Sequence, residues 1–350
     1  MKIINIIKSN IANGRDETVQ NQINALKRQF QSSNINILLG AGFSFGVAQL
    51  LGDIENRLAV AEANGKDKNE VLKIEKEFFE KSILPMADPQ KIKIGEVERT
   101  RFFDIIKKII KNRQSSILHK IVNVYTTNYD LLIETAFEKN HIDYIDGFSG
   151  KIKPTFSTAN YGMIFSRQTS ISSMTSEVVT FNLYKVHGSL NWECEGSEIY
   201  CCDHVQSIKN IEAHLNAEDF DSYYSSLQII NPTKEKFKQT VLNANYYDQL
   251  RMYCNELEKS NTILIAFGFS FADEHILTMT KRSLKGNPTF SLIIFSFNEE
   301  STQKYKALFE GYSNVFVYQL VEKDGDNLEI LKFTQNDVNN LLEEVYNGTK

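Results

Sequence analysis

The chain has 350 residues, 42% of them hydrophobic and 24% charged, and a net charge of −5. That balance suits one large or two modest globular domains with ample core, and nothing in it suggests the concentrated basic face that direct nucleic-acid binding needs. No window approaches the roughly 18 uninterrupted apolar residues of a membrane span. Met1–Lys8 has too short an apolar centre for a cleaved leader. Cys194, Cys201, Cys202 and Cys254 are too few and too oddly spaced for a disulfide framework, so a cytoplasmic protein is expected.

In chain order, the periodicity predicts a helix over 16–30, with Val19, Ile23, Leu26 and Phe30 on one face. Ile35, Ile37, Leu38 and Leu39 predict a strand buried on both faces, running into Gly40-Ala41-Gly42. A helix from about Gly46 to Ala63 is expected next, which would place the glycine amides at a helix N-terminus suited to phosphate. Residues 46–119 read as a mostly helical layer, and the basic run Lys107–Arg113 as the wet face of one helix. Ile121–Tyr125 predicts a strand ending in Thr126-Thr127-Asn128-Tyr129-Asp130, followed by a helix to Lys139. From His141 to Val178 the chain reads as irregular.

A strand over 179–186 ends in His187-Gly188-Ser189. Leu227–Ile230 reads as a strand and 234–259 as a helix. Thr262–Phe267 predicts a buried strand ending in Gly268-Phe269-Ser270, with Asp273 at the next helix. Strands over 290–297 and 315–320, a helix over 299–309 and a polar helix over 336–346 complete the chain. Strands alternating with helices predict an α/β fold with a doubly wound, Rossmann-like parallel sheet. The expected division is a helical lead-in over 1–33 and one main α/β domain over 34–350, with a helical insertion at about 46–119.

Four strand ends therefore carry polar or glycine-rich tips: Gly40–Ser44, Thr126–Asp130, His187–Ser189 and Gly268–Asp273. A parallel sheet brings all four to one edge, where ligands bind outside the carboxyl ends of the strands. The dinucleotide fingerprint of dehydrogenases fails: Phe45 stands where a third glycine is expected, and no acidic residue ends a second strand about 20 positions on.

Gly-Ala-Gly-Phe-Ser, Thr-Thr-Asn-Tyr-Asp, His-Gly-Ser and Gly-Phe-Ser-Phe-Ala-Asp, in that order, resemble the sirtuin fold, and more closely the sirtuin-like NADases of bacterial antiphage defence. The resemblance spans 34–320. It implies that Gly40, Ala41, Gly42 and Ser44 hold the pyrophosphate and ribose of NAD. By the same resemblance, Asn128 contacts the nicotinamide ribose and positions water, with Thr127 and Asp130 in the same loop. His187 contacts the ribose hydroxyls, Gly268 and Ser270 approach the adenosine half, and Asp273 braces that loop. The implied reaction is hydrolysis of NAD to ADP-ribose and nicotinamide, as an NAD-depleting defence effector. Control would come from self-assembly into a homo-oligomer or from a partner such as a HerA-type ATPase.

The sequence departs from deacetylating sirtuins in two places. No Cys-x-x-Cys pair follows His187, and adjacent Cys201 and Cys202 suit a tetrahedral site poorly, so no metal is expected. The loop that normally follows the glycine turn is replaced by Phe45–Gln49, which leaves the nicotinamide carboxamide contact unassigned. Two other readings remain open at this level: a non-catalytic subunit that binds NAD or ADP-ribose, and a zinc-independent deacylase. Asn128 also suits a turn, and Ser270 and Asp273 suit helix capping. Tyr144, Phe148, Tyr161, Phe165 and Trp192 are expected as core or lid.

Overall fold

The structure is a computed structural model. It describes residues 1–8, 17–48, 54–63, 68–115, 117–168, 175–196, 198–203, 205, 208–209, 220, 224, 227–229, 244–324 and 327–348. The strands are β1 (Lys2–Ile7), β2 (Asn34–Leu39), β3 (Ile121–Thr126), β4 (Asp143–Ile145), β5 (Phe148–Ser149), β6 (Thr155–Phe156), β7 (Ser166–Gln168), β8 (Thr175–Glu177), β9 (Thr180–Lys185), β10 (Trp192–Glu195), β11 (Glu198–Cys201), β12 (Thr262–Phe267), β13 (Phe290–Phe295), β14 (Val315–Asp324) and β15 (Asn327–Leu331). The helices are α1 (Glu17–Ser32), α2 (Ile54–Ala63), α3 (Lys68–Phe78), α4 (Glu96–Lys111), α5 (Leu132–Lys139), α6 (Ala244–Glu258), α7 (Glu274–Gly286), α8 (Glu299–Leu308) and α9 (Gln335–Asn347).

The central sheet runs β1-β14-β13-β12-β2-β3-β9-β4, all parallel, and β15 pairs antiparallel with β14. This is the α/β, Rossmann-like architecture the alternation predicts. Apolar runs such as Thr262–Phe267 are buried along their whole length because helices cover both faces. On one face Ile35, Ile37, Leu39, Val124 and Leu183 pack with Phe30 of α1, Phe103 of α4, Phe137 of α5 and Leu342 of α9. On the other, Leu38, Tyr125, Tyr184 and Leu264 pack with Tyr253 and Leu257 of α6, Ile276 of α7 and Tyr305 of α8.

Polar groups break the second face in one row. Asn36, Asn123 and Asn182 occupy matching positions on β2, β3 and β9. Asn182 Nδ2 donates to Asn123 Oδ1 (2.9 Å), Asn123 Nδ2 to Asn36 Oδ1 (3.0 Å), and Asn36 Nδ2 to Ile263 O (3.3 Å). Each such bond contributes only about 1 kcal/mol net, but a buried amide without its partner costs more. A slip of one residue would unpair the whole row, so the ladder fixes the register of the three strands.

Several segments differ from the sequence expectation. Lys2–Ile7, placed in a helical lead-in, is an edge strand on β14. The stretch 141–178, expected to be irregular, holds β4 to β8: β5 and β6 join β11 and β10 in a small sheet, and β7 pairs with β8. The aromatics there form core, with Phe148, Phe156 and Tyr246 packed around Trp192. α9 is amphipathic rather than polar, with Val338, Leu341, Leu342 and Val345 buried. The expected strand over 227–230 is described only to Ile229, which bridges Gly188, and the first part of the expected helix over 234–259 lies outside the described residues.

The helical region 46–119 divides in two. α4 belongs to the sheet's own helical layer. α2, α3 and residues 79–87 form a separate cluster around Phe78, Phe79 and Ile83, which packs on Tyr129, Leu132 and Leu190 beside the strand tips. On its surface Glu77 pairs with Arg57 (2.8 Å) and Lys81 (2.6 Å), and these two partners pull its carboxyl from 4.5 down to about 2. A depressed folded-state pKa gives stability that is present above pH 4.5 and lost as pH falls towards 2. Because the pair is partly exposed, it contributes about 0.5 kcal/mol. Thermal melts of wild type and Glu77→Gln should therefore differ slightly at neutral pH, with the gap closing on acidification or in high salt.

Candidate functional site

After β2 the chain turns to β3 on one side of β2, whereas β12 lies on the other, so the order of winding reverses between β2 and β12. That switch point is where open α/β sheets leave a crevice at the carboxyl ends of the strands. The tips of β2 and β12 meet there. Gly42 N donates to Gly268 O (2.9 Å) and Gly40 N to Phe267 O (3.3 Å). A methyl on Gly42 would lie 2.6 Å from Gly268 Cα, so these glycines exist first of all to let two backbones touch.

The turn after β2 is a single 3₁₀ turn, Ala41–Ser44, and Gly46 has φ +87°. The helix expected over about 46–63 is found only in its second half: Val47 lies in the turn, and among the described residues the next helix begins at Ile54. The amides of Gly40, Gly42 and Phe43 are bonded to the carbonyls of Phe267, Gly268 and Gly40. Ala41 is exposed on the turn. The turn is anchored from beneath by Phe43, 1% exposed, whose ring meets Phe102, Phe103 and Phe267 edge-on at 5.6–6.3 Å. Burying that ring contributes about 2–3 kcal/mol.

The tips of β2 and β3 are joined by side chains. Asn128 Nδ2 donates to Gly40 O (2.9 Å) and Ser44 Oγ (3.0 Å). Ser44 Oγ donates to Asp130 Oδ2 (2.6 Å), whose Oδ1 accepts from Leu132 N (3.0 Å) at the start of α5. Both amide hydrogens of Asn128 are thereby committed to protein acceptors, and Oδ1 is the atom it presents to a ligand. Thr127 is half-buried in the same tip.

The tips of β3 and β9 meet through Leu190 N donating to Tyr129 O (3.0 Å), and through Lys185, 2% exposed, which bonds Asp130 O and pairs with Glu134 (2.9 Å). Burial pushes the Glu134 carboxyl up, against the pull of Lys185. A second buried cation, Arg99 on α4, donates to Ile92 O (2.8 Å); burial pulls its pKa down while the Asp130 charge acts the other way.

His187, at the end of β9, completes the arrangement. In the sheet order β9 and β12 are separated by β2 and β3, three strand spacings or about 14 Å. Yet His187 Nε2 lies 3.0 Å from Asp273 Oδ2. The β12–α7 loop leans across to make this contact. Phe271 takes a left-handed φ of +55°, held by ring contacts to Phe269 (5.0 Å) and Phe309 (5.1 Å), and Tyr305 OH donates to Phe269 O (2.9 Å). Ser270 is exposed, its Oγ accepting from Ala272 N (3.4 Å). The four tips thus close into a ring: β2 to β3 through Asn128 and Ser44, β3 to β9 through Lys185 and Leu190, β9 to β12 through His187, and β12 to β2 through Gly268.

The sequence profile of the SIR2-like domain matches residues 122–317. That span covers more than half of the chain and includes Asn128, His187, Gly268 and Asp273. The chain belongs to the SIR2-like domain family. Its matched part begins in β3 and ends in β14, and the Gly40–Ser44 turn joins it through the contacts above. SIR2-like domains are commonly NAD-dependent enzymes, which ties the chain to NAD-related activity in general. No curated protein matches the chain at a significant level. Among the described residues of this SIR2-like chain, no group of three His, Cys, Asp or Glu side chains is placed to hold a metal, and no helix is long and apolar enough to cross a membrane.

Sequence reasoning named the tips but missed Phe43, Lys185 and Arg99. A lysine at the end of a strand expected to be buried was the available signal for Lys185. Arg99 sits in a charged helical turn and gave none.

Proposed function

We propose that this SIR2-like chain hydrolyses NAD, cleaving the bond between ribose C1′ and nicotinamide to give ADP-ribose and nicotinamide. The observation that carries the reading is the ring of tips, which brings an asparagine with a committed amide and a histidine with a carboxylate partner to one crevice at the switch point. The chemistry asks little else. Nicotinamide leaves a cationic ribosyl as a neutral molecule, so no acid is needed to protonate it. The site has to stabilise an oxocarbenium-like sugar, orient water and keep other nucleophiles out. Asn128 Oδ1 orients the ribose or the attacking water, His187 accepts a proton from a ribose hydroxyl or that water, and Ala41, Ser44, Gly268 and Ser270 line the remainder. The likeness to antiphage NADases supports a role as an NAD-depleting effector, held in check by self-assembly or by a partner such as a HerA-type ATPase.

Incubating the protein with NAD, alone and with an acyl-lysine peptide, and following nicotinamide tests this. Release without peptide is expected. Release that requires peptide would indicate a deacylase, and stoichiometric NAD binding without release under every condition, both from the chain alone and from the chain assembled with an activating partner such as a HerA-type ATPase, would overturn the enzyme reading. Ser44→Ala supplies a finer check. It unlinks Asn128 from Asp130 while costing roughly 2–4 kcal/mol of stability for the two bonds lost. Nicotinamide release should fall roughly 10- to 100-fold through misplacement of Asn128.

A further inference from the structure

Asp273 does more than end a helix. Its Oδ1 accepts from the amides of His275 and Ile276, both at 3.0 Å, as the N-cap of α7. Asparagine or serine would cap equally well. Its second oxygen, Oδ2, stands 3.0 Å from His187 Nε2, with both side chains close to nine-tenths shielded. A carboxylate oxygen only accepts, so a ring nitrogen at that distance carries the hydrogen. The other nitrogen, Nδ1, then holds the lone pair when the ring is neutral.

We propose that Asp273 is a positioning residue for His187: it fixes the Nε2–H tautomer and leaves Nδ1 as the proton acceptor that the site uses. This rests on reading the site as one that cleaves NAD, and it specifies which atom of the histidine acts. The helix cap makes the device rigid. The amides of His275 and Ile276 hold Oδ1, so the carboxylate cannot turn away from the ring. It also ties His187 to the β12–α7 loop, so the histidine and the far wall of the crevice are set by one group.

The cap also makes the role testable without unfolding the helix. In Asp273→Asn the introduced carbonyl oxygen must stay on the α7 amides, which are donors. The introduced NH₂ then faces His187 and donates to Nε2, forcing the hydrogen to Nδ1. The cap survives and the tautomer inverts.

The experiment uses the full chain labelled with ¹⁵N at its six histidines. Long-range ¹H–¹⁵N correlations are recorded at about pH 8.5, where an ordinary imidazole is neutral. His187 is assigned by its loss in His187→Gln. Wild type should show Nε2 protonated and Asp273→Asn should show Nδ1 protonated, with melting temperatures within about 2 °C because Asn caps as well as Asp. With the tautomer inverted, kcat for nicotinamide release should fall by about 100-fold or more with KM little changed. Asp273→Ser, which caps but offers nothing to the ring, should show mixed tautomers and an intermediate kcat. A wild-type His187 protonated at Nδ1, or a tautomer unmoved by Asp273→Asn, would overturn the proposal. The spectrum is read without substrate. An inverting tautomer in a chain that never releases nicotinamide would therefore sustain the positioning role and remove the NAD-cleavage reading.

Discussion

Asn128→Ala should lower kcat/KM for nicotinamide release by about 1,000-fold, the size of effect expected when a group that orients the reacting atoms in a water-poor site is removed. The substitution deletes Oδ1 and also the two hydrogen bonds from Nδ2 to Gly40 O and Ser44 Oγ. Losing those bonds costs about 2 kcal/mol of stability. The fold should survive this, because the neighbouring tips are joined independently by Gly42–Gly268 and Leu190–Tyr129 contacts. Steady-state rates and a thermal melt of the same preparation separate the two effects. A variant that melts slightly early yet keeps more than a tenth of wild-type activity would show that Asn128 is only a turn residue.

Gly268→Ala should be a severely damaging small change in the crevice wall. Gly268 has φ +62°, and a methyl there would lie 2.7 Å from Gly42 C and from Phe43 N, both backbone atoms that cannot swing aside. Left-handed strain and overpacking together cost roughly 3 kcal/mol or more. Relief requires the β2 and β12 tips to part, which also moves Gly40 away from Asn128. Thermal melting and nicotinamide release should therefore fall together. Gly286→Ala makes a matched control, since a methyl there meets nothing within 4 Å. That variant should be neutral or more stable by up to about 1 kcal/mol. Equal melting temperatures for the two variants would refute the close-packed account of the glycine turn.

The parts of the molecule legible in the sequence are those set by local chemistry. Apolar runs of five or six residues announced β2, β3, β9, β12 and β13, and the polar residues at their ends announced the crevice. Pairing between tips was not legible. Ser44 meets Asp130 and His187 meets Asp273 only because four strands share one edge, and nothing within 80 residues of either histidine or serine signals its partner. The helix expected from Gly46 starts only at Ile54 among the described residues, because Phe45–Ala48 closes into a turn with a bridge between its ends. β1 escaped because its short apolar run gains a partner only when β14, more than 300 residues later, is in place. Lys185 and Arg99 are charges whose burial depends on neighbours supplied by the tertiary fold.

The ring of tips also sets how much of the chain must be present before the site is assembled. Its members are drawn from residues 40–44, 128–130, 185–190 and 268–273, and the closing contact is the last to be made. A ribosome-bound chain that has emerged only as far as residue 190 already carries Asn128 and His187. It lacks β12, the strand that seats the glycine turn, and it lacks Asp273. Contacts of such high sequence separation form late and together. Products that stop short of Asp273 therefore lack the contact that closes the ring.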